Sequence, residues 1–143
     1  MLFSVGIELP KSNDDAFGLI IPALCNDEYN CYSAADTEQQ IALMATDAIT
    51  MMVEEILLDG GTISSIKDQG VLTYQQDSEY SDYDAWLMLD VNISKLEGKP
   101  KRINISIPDV LIQRIDDYVK HSSGRYKDRS DFIASAARNE MQL

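Results

Sequence analysis

The feature that most constrains this chain is a single strand pattern in its last third. Residues 103–107 alternate isoleucine with polar side chains up to Pro108, which is the period of two of a half-buried strand. Two helical patterns follow, one over residues 111–119 and one that begins with Ser130 as its cap. A lone strand cannot satisfy its backbone hydrogen bonds, and two short helices bury too little surface to fold alone. We therefore expect residues 101–143 to pair with a second copy of the chain.

Antiparallel pairing of two such strands would leave a polar face on a two-stranded ribbon. The outward residues are Arg102, Asn104 and Ser106. A ribbon of this kind fits the major groove of DNA, where arginine reads guanine, asparagine reads adenine and serine can serve either. Lys101 is a candidate phosphate contact by its charge. Arg129 and Ser130 are candidates at the start of the second helix, where backbone amides favour phosphate. The plainer alternative is an edge strand whose polar residues keep other strands from pairing with it.

Charge divides the chain at residues 96–100. Residues 1–97 hold 3 basic and 18 acidic side chains, a net charge of −15, whereas residues 98–143 hold 9 basic and 6 acidic ones, a net charge of +3. A segment with a charge of −15 repels phosphate backbones and attracts a basic partner. The first part is therefore not expected to bind nucleic acid.

The first part predicts the element order β-β-β-α-β. Residues 3–9 alternate as a half-buried strand, residues 16–21 form a second strand that stops at Pro22, and residues 29–34 supply a third. A helix then runs to Leu58 and stops at two glycines, opened by a capping box over residues 36–40. We expect residues 62–83 to form a polar loop with one short strand at 71–74. Residues 86–93 alternate as the last strand.

Several acidic and aromatic residues are candidates for contact with a basic partner. Asp27, Glu28, Tyr29 and Tyr32 form one mixed group, for which an ordinary loop is the alternative. Asp77, Glu79, Asp82 and Asp84 form a second group, which would be a cation site, a docking patch or simply a solvated surface. The two cysteines, Cys25 and Cys31, lack metal-binding spacing and are expected to be small buried hydrophobes. We expect no metal and no cofactor.

Because no apolar run approaches the roughly 18 residues that span a bilayer, and residues 1–10 lack a signal-peptide pattern, we expect a cytoplasmic protein.

The last third of the chain resembles a ribbon-helix-helix DNA-binding domain of the Arc/MetJ class. The likeness rests on residues 102–108, the helix over 111–119, the turn at Gly124 and the run 130–133. The first part of the chain resembles the partial RNase H-like domain of HicB antitoxins. The likeness rests on the β-β-β-α-β order, the strand before Pro22 and the helix between residues 36 and 60. One subset of HicB proteins has these two domains in this order.

The likeness to RNase H raises a Mg²⁺-dependent nuclease as an alternative. Its metal would be held by acids such as Glu8, Asp36, Glu55 and Asp90. These acids show no diagnostic spacing, and the chain is too short for the whole catalytic fold. We therefore expect a protein that is not an enzyme.

The resemblance implies an α+β fold with a partial RNase H-like domain at residues 1–96, a linker at 97–100 and a ribbon-helix-helix domain at 101–143. It implies a type II antitoxin that binds and masks HicA, a small basic mRNA-cleaving toxin, and that represses their operon by binding operator DNA. A homodimer through the C-terminal domain is implied, with a tetramer as an extension of it. The alternative is a stand-alone repressor whose N-terminal domain binds a ligand or only oligomerises.

Overall fold

A computed structural model describes residues 1–141 of the protein, in which four strands and four α-helices form a mixed α/β structure. The strands are β1 (Leu2–Glu8), β2 (Phe17–Ile20), β3 (Tyr32–Ala35) and β4 (Ala85–Asp90). The helices are α1 (Ile41–Leu58), α2 (Val71–Gln76), α3 (Asp109–His121) and α4 (Arg129–Met141). The chain divides after Gly98 into two compact units. No helix within residues 1–141 is both long and apolar enough to cross a membrane.

The first unit is built on an antiparallel sheet with the strand order β3-β2-β1-β4. One face of the sheet packs against α1, whose buried residues repeat at helical spacing. The centre of this core is fully buried and includes Phe3, Val5, Leu19, Ile49 and Val53. The four strands and the long helix predicted from periodicity are thus confirmed, although β3 begins at Tyr32 and β4 ends at Asp90.

The two ends of α1 differ in how well the sequence predicted them. At its C-terminal end, the Gly60 amide donates to the Leu57 carbonyl (3.1 Å) and the Gly61 amide to the Ile56 carbonyl (2.8 Å), with Gly60 at φ 89°. This is the glycine stop that was predicted. The predicted capping box is wrong, because neither Thr37 nor Gln40 makes a side-chain cap hydrogen bond. A short 3₁₀ turn leads into the helix instead.

The second face of the sheet is also covered, which the sequence did not indicate. The predicted strand at 71–74 is wrong: these residues open α2, in which Tyr74 is buried. Gly70 directly precedes this helix with a positive φ of 89°, which glycine adopts without strain, and its carbonyl accepts the first helical hydrogen bonds from Thr73 and Tyr74. β1 is therefore buried on both faces at residues 3–7 rather than half-buried.

The second unit contains α3 and α4, as predicted. The turn after α3 holds Ser123 (φ 53°) and Gly124 (φ 82°) in the left-handed region, which ends the helix. The predicted cap Ser130 is wrong: Asp128 Oδ1 accepts from the Asp131 amide (2.9 Å), so the cap lies two residues earlier. Residues 99–108 form no regular strand in the single chain, and Ile103 and Ile105 are 69% and 55% exposed.

Candidate functional site

A groove of about 430 Å³ opens on the first unit beside the end of β2 and along β3. Its walls carry three acids, Asp27, Glu79 and Asp82, and three tyrosines, Tyr32, Tyr80 and Tyr83. We call these six residues the aromatic-acidic groove. Two groups that lie 50 residues apart in sequence thus meet at one place, and no lysine or arginine lines it within the described residues.

One wall of the groove comes from the turn that links β2 to β3. Asn26 Oδ1 accepts hydrogen bonds from the amides of Glu28 (2.8 Å) and Tyr29 (2.9 Å), and the Asn26 amide donates to the Tyr29 carbonyl (2.8 Å). An asparagine that bonds to the backbone ahead of it fixes a tight turn. Asp27 is exposed in this turn, and Tyr32 follows in β3 with 58% of its surface exposed.

The opposite wall rests on four aromatic rings that cover the sheet. The ring of Trp86 stacks on Tyr74 (centroids 5.9 Å apart) and meets Tyr80 (6.0 Å) and Tyr83 (6.2 Å) edge to face. Offset-stacked and edge-to-face pairs of this kind are favourable beyond their burial of area. The 3₁₀ turn Ser78–Tyr80 is capped by Asp77, whose Oδ1 accepts from the Glu79 amide (2.9 Å). Glu79 and Tyr80 are therefore held in place at the rim.

The ionisable groups of the groove favour a partner that is positively charged and accepts hydrogen bonds. Burial, with the nearby Glu79 charge, raises the pKa of Tyr80 to about 12, and burial also raises the pKa of Tyr83. Both phenols therefore keep their protons at neutral pH and can donate. Burial raises the pKa of the Cys25 thiol at the floor of the groove, so this side chain adds no negative charge.

Two of the four predicted partner contacts lie outside the aromatic-acidic groove. Asp27 and Tyr32 line it, whereas Glu28 and Tyr29 do not. The Tyr29 hydroxyl instead donates to Asp59 Oδ2 (2.7 Å) after the end of α1, and this hydrogen bond raises the pKa of Tyr29 to about 12. Tyr29 thus anchors the turn to α1.

In the second predicted acidic group, two carboxylates accept hydrogen bonds from backbone amides and two line the groove. Glu79 and Asp82 line the groove, while Asp77 caps the turn before it. The fourth, Asp84, accepts from the Leu9 amide (3.0 Å). The sequence did not separate these roles, because the role of Asp84 depends on the end of β1 lying beside it in the fold.

The cysteines and the nuclease candidates are dispersed. Cys31 is buried and Cys25 is partly buried, with the Cys31 amide donating to Cys25 Sγ (3.3 Å). The Asp90 carboxylate binds the Met1 amine (3.0 Å), and Glu8 lies 3.7 Å from the Lys11 ammonium. Over residues 1–141, no group of three or more His, Cys, Asp or Glu side chains is placed to hold a metal ion.

The second unit presents an exposed polar segment and an apolar hollow. Lys101, Arg102, Asn104 and Ser106 are all exposed. A hollow of about 360 Å³ lies between α3 and α4, and its apolar lining includes Leu111, Ile115, Tyr118, Phe132, Ile133 and Ala136. Arg114 also lines the hollow and is the one lysine, arginine, aspartate or glutamate among its lining residues in the described part of the chain.

Two predicted phosphate contacts lie at the start of α4. Arg129 is engaged by a carboxylate: its Nε and Nη2 atoms donate to Asp116 at 2.9 and 2.7 Å. This bidentate pair lowers the pKa of Asp116 and ties α4 to α3. Ser130 is exposed in the first turn, next to the carboxylates of Asp128 and Asp131 that bond to local amides.

The aromatic wall is the part of the site that pattern analysis missed. Three of the seven tyrosines fall within residues 74–83, inside a segment that was otherwise predicted to be polar loop. Large rings at this density are rarely left in solvent, because each buries 150–250 Å². That clustering was the available signal for a second buried layer.

Comparisons with known proteins agree with the fold. The family model described as "HicB_like antitoxin of bacterial toxin-antitoxin system" matches residues 3–137. The "Uncharacterized 14.9 kDa protein in rep-hol intergenic region" of Haemophilus phage HP1 (strain HP1c1) is 33% identical over 141 residues, which cover 99% of this chain and 98% of that protein.

Two solved antitoxin structures are similar over nearly the whole chain. The crystal structure of the Burkholderia pseudomallei antitoxin HicB is 27% identical with a TM-score of 0.54, and 98% of each chain is covered. The crystal structure of the antitoxin HicB3 has a TM-score of 0.53 at 22% identity, which is a likeness of fold; it covers 98% of this chain and 97% of that one.

Proposed function

This chain belongs to the HicB-like antitoxin family of bacterial toxin-antitoxin systems, and from that premise we propose that it masks a small basic mRNA-cleaving toxin of the HicA type and represses its own operon. The first unit would hold the toxin, and the second unit would bind operator DNA as a dimer. The observation that carries the toxin-binding half is the aromatic-acidic groove, where acids and tyrosines from two parts of the sequence converge and no lysine or arginine of residues 1–141 belongs to the lining.

The chemistry of the groove would allow this chain to compete with RNA for the basic surface of the toxin. A toxin that cleaves mRNA must offer lysine or arginine to the phosphate backbone. Asp27, Glu79 and Asp82 present carboxylates of the opposite sign to that surface, and the neutral phenols add hydrogen-bond donors and apolar ring area. Binding there would inhibit by occlusion, which requires no catalytic group on this chain.

The DNA-binding half rests on the exposed segment before α3. Ile103 and Ile105 are 69% and 55% exposed in a single chain, which is costly unless a second copy covers them. Pairing of two such segments over the apolar hollow would give the ribbon expected from sequence, with Arg102, Asn104 and Ser106 outward. The same pairing makes a homodimer, and association of the first units would extend it to a tetramer.

The phosphate contacts of that ribbon would come from Lys101 and from the start of α4. Arg129 has five N–H donors, two of which bind Asp116. The other three are available to a phosphate, so Arg129 would act both as a clamp between helices and as a contact. Ser130 would contribute its hydroxyl in the same turn.

A charge-matched pair of double variants tests toxin binding. Asp27→Lys with Asp82→Lys should weaken toxin binding by about tenfold or more, because like charges would face the toxin. Asp14→Lys with Asp15→Lys makes the same change of net charge at an exposed turn away from the groove and should leave the affinity nearly unchanged. Isothermal titration with a purified HicA-type toxin gives both values. Equal losses in the two variants would assign binding to overall charge and contradict the groove.

The DNA-binding half is tested on the chain's own promoter. Arg102→Ala should remove discrimination between promoter and unrelated DNA in a mobility-shift titration while leaving toxin neutralisation intact. If no basic protein binds the wild-type chain and the promoter is still bound, the stand-alone repressor is the correct function. If Arg102→Ala loses both activities in a folded protein, the division of labour between the units is wrong.

A further inference from the structure

We propose that the outer edge of β3 is the docking strand for the toxin, and that an extended basic segment of the toxin pairs with it as a fifth strand of the sheet. This inference rests on the proposed function, since it names the way in which the same face recognises its partner. Addition of a strand supplies main-chain hydrogen bonds for affinity, while the side chains on either side of the edge supply specificity.

The hydrogen-bond register determines which backbone groups of β3 point outward. β3 is the terminal strand of the sheet and pairs with β2, with Leu19 opposite Ser33 and Ile20 opposite Tyr32. The Ile21 amide donates to the Cys31 carbonyl (3.0 Å), so every second residue from Cys31 bonds inward. The N–H and C=O groups of Tyr32 and Ala34 therefore face away from β2 and are directed to the free edge.

This edge is short, at four residues, but it lacks the other devices by which proteins usually keep strand edges from pairing. Exposed edges are commonly protected by a lysine, a proline, a bulge or an inward-pointing charge. β3 reads Tyr-Ser-Ala-Ala, and its pairing with β2 is regular over four residues. β4, at the other end of the sheet, contacts α2 through the stacked rings of Trp86 and Tyr74, which lie on a face of the sheet. An unprotected edge on the acidic unit indicates a strand that receives a partner.

Two grooves flank the edge, one on each side. The aromatic-acidic groove lies on one side, and on the other a groove of about 420 Å³ runs between β3 and α1. This methionine groove is lined by Met44, Met51 and Met52 with the acids Asp47 and Glu55. Tyr32 lines both grooves and is 58% exposed, while Met51 is 70% exposed.

The chemistry of the two grooves specifies the incoming segment. Successive side chains of an added strand point to opposite faces, so alternate residues would enter the two grooves. Each groove offers acids beside apolar side chains, and neither has a lysine or arginine among its lining in the described residues. The segment that fits is therefore an extended one with lysine or arginine and apolar residues on both faces, because flexible methionines adapt to varied apolar shapes.

A proline at the outward-facing amide tests the pairing directly. Ala34→Pro removes an N–H that points away from β2, so the sheet itself loses no hydrogen bond, and edge strands tolerate proline. We expect toxin affinity to fall by about tenfold or more, since strand pairing loses main-chain hydrogen bonds. Ala34→Val keeps the N–H and should change affinity by less than about threefold, because valine fits a half-exposed strand.

The matched control is on the other edge of the same sheet. Met88 in β4 is exposed, and its amide also faces outward, because the Val91 amide bonds to the Met1 carbonyl and sets the same alternation. Met88→Pro should fold and bind toxin as the wild type does. Circular dichroism and thermal unfolding of all variants show whether a loss of binding is a loss of fold.

Amide exchange supplies a readout that needs no substitution. In the free chain the amides of Tyr32 and Ala34 should exchange quickly and those of Ser33 and Ala35 slowly. In the toxin complex, Tyr32 and Ala34 should become protected. Unchanged exchange at both amides, or equal affinity of Ala34→Pro and wild type, would overturn the strand-pairing inference while leaving toxin binding established.

Two other outcomes separate the possible failures. If the wild-type chain binds no basic protein at all, the proposed function fails together with this inference. If Ala34→Pro lowers the mass of the chain's own oligomer in solution, a second copy of the chain occupies the edge, and the inference is overturned in favour of self-association.

Discussion

At the residue scale, Gly6 marks the place where the aromatic layer touches the sheet. A Cβ atom there would lie 2.8 Å from Ile20 Cγ2, 3.0 Å from the Trp86 ring and 3.1 Å from the Tyr83 ring. A side chain at this position must therefore displace rings that form the wall of the aromatic-acidic groove. The absence of a side chain at Gly6 is a condition for the groove.

Gly6→Ala should lower the free energy of unfolding by about 1–3 kcal/mol, the usual cost of overpacking. Gly18→Ala is the matched control, because a Cβ there would meet the flexible Glu8 side chain, at 3.3 and 3.4 Å. Urea unfolding of the two variants measures the difference. If both substitutions cost the same, the rings above Gly6 move without penalty and the wall is not rigid.

A second prediction at this scale concerns the hydrogen bond from Tyr29 to Asp59. In Asp59→Ala, the pKa of Tyr29 should fall from about 12 towards its ordinary value of 10.0, because the bond to Asp59 is the main cause of the shift. A raised pKa means that the bond stabilises the fold below pH 10 and that this contribution is lost as the pH rises through about 12. Titration of ¹³C-labelled tyrosine by NMR gives the value, with Tyr29→Phe to assign the signal. An unchanged pKa in Asp59→Ala would contradict the anchor.

At the scale of elements, the start of α4 gives a direct comparison between two candidate caps. Asp128→Ala should destabilise the second unit by about 0.5–2 kcal/mol, the usual cost of losing an N-cap. Ser130→Ala should be close to neutral, because Asp128 already accepts from the Asp131 amide. Amide exchange at Asp131 and Phe132 reports the first turn of the helix. The opposite order of effects would restore Ser130 as the cap.

The longer elements were predictable from the pattern of apolar residues. β1, α1 and α3 were predicted from the spacing of their apolar residues and β2 from an apolar run before Pro22, and all four are confirmed within a few residues. α2 was missed because it is six residues long and buries Tyr74 alone, too short for a helical period to show. The groove was not predictable as a unit, since Asp27 and Asp82 meet through tertiary packing and are 55 positions apart. The segment before α3 depends on a second copy, which one sequence cannot position.

At the scale of the whole molecule, the division of charge predicts how each interaction responds to salt. The net charge of −15 on residues 1–97 should speed the approach of a basic toxin at low ionic strength. The association rate should therefore fall steeply between about 0.05 and 0.5 M salt, while the dissociation rate changes less. Stopped-flow measurement of both rates tests this. Equal rates across the range would show that apolar contacts alone control the encounter.

The aromatic wall has a spectroscopic consequence. Trp86 is the single tryptophan of the chain, and its ring contacts Tyr80 and Tyr83, which line the groove. A molecule that settles between Asp27 and Asp82 must alter the polarity and the packing around the indole. The intrinsic tryptophan fluorescence of the unlabelled antitoxin should therefore change when its groove is occupied.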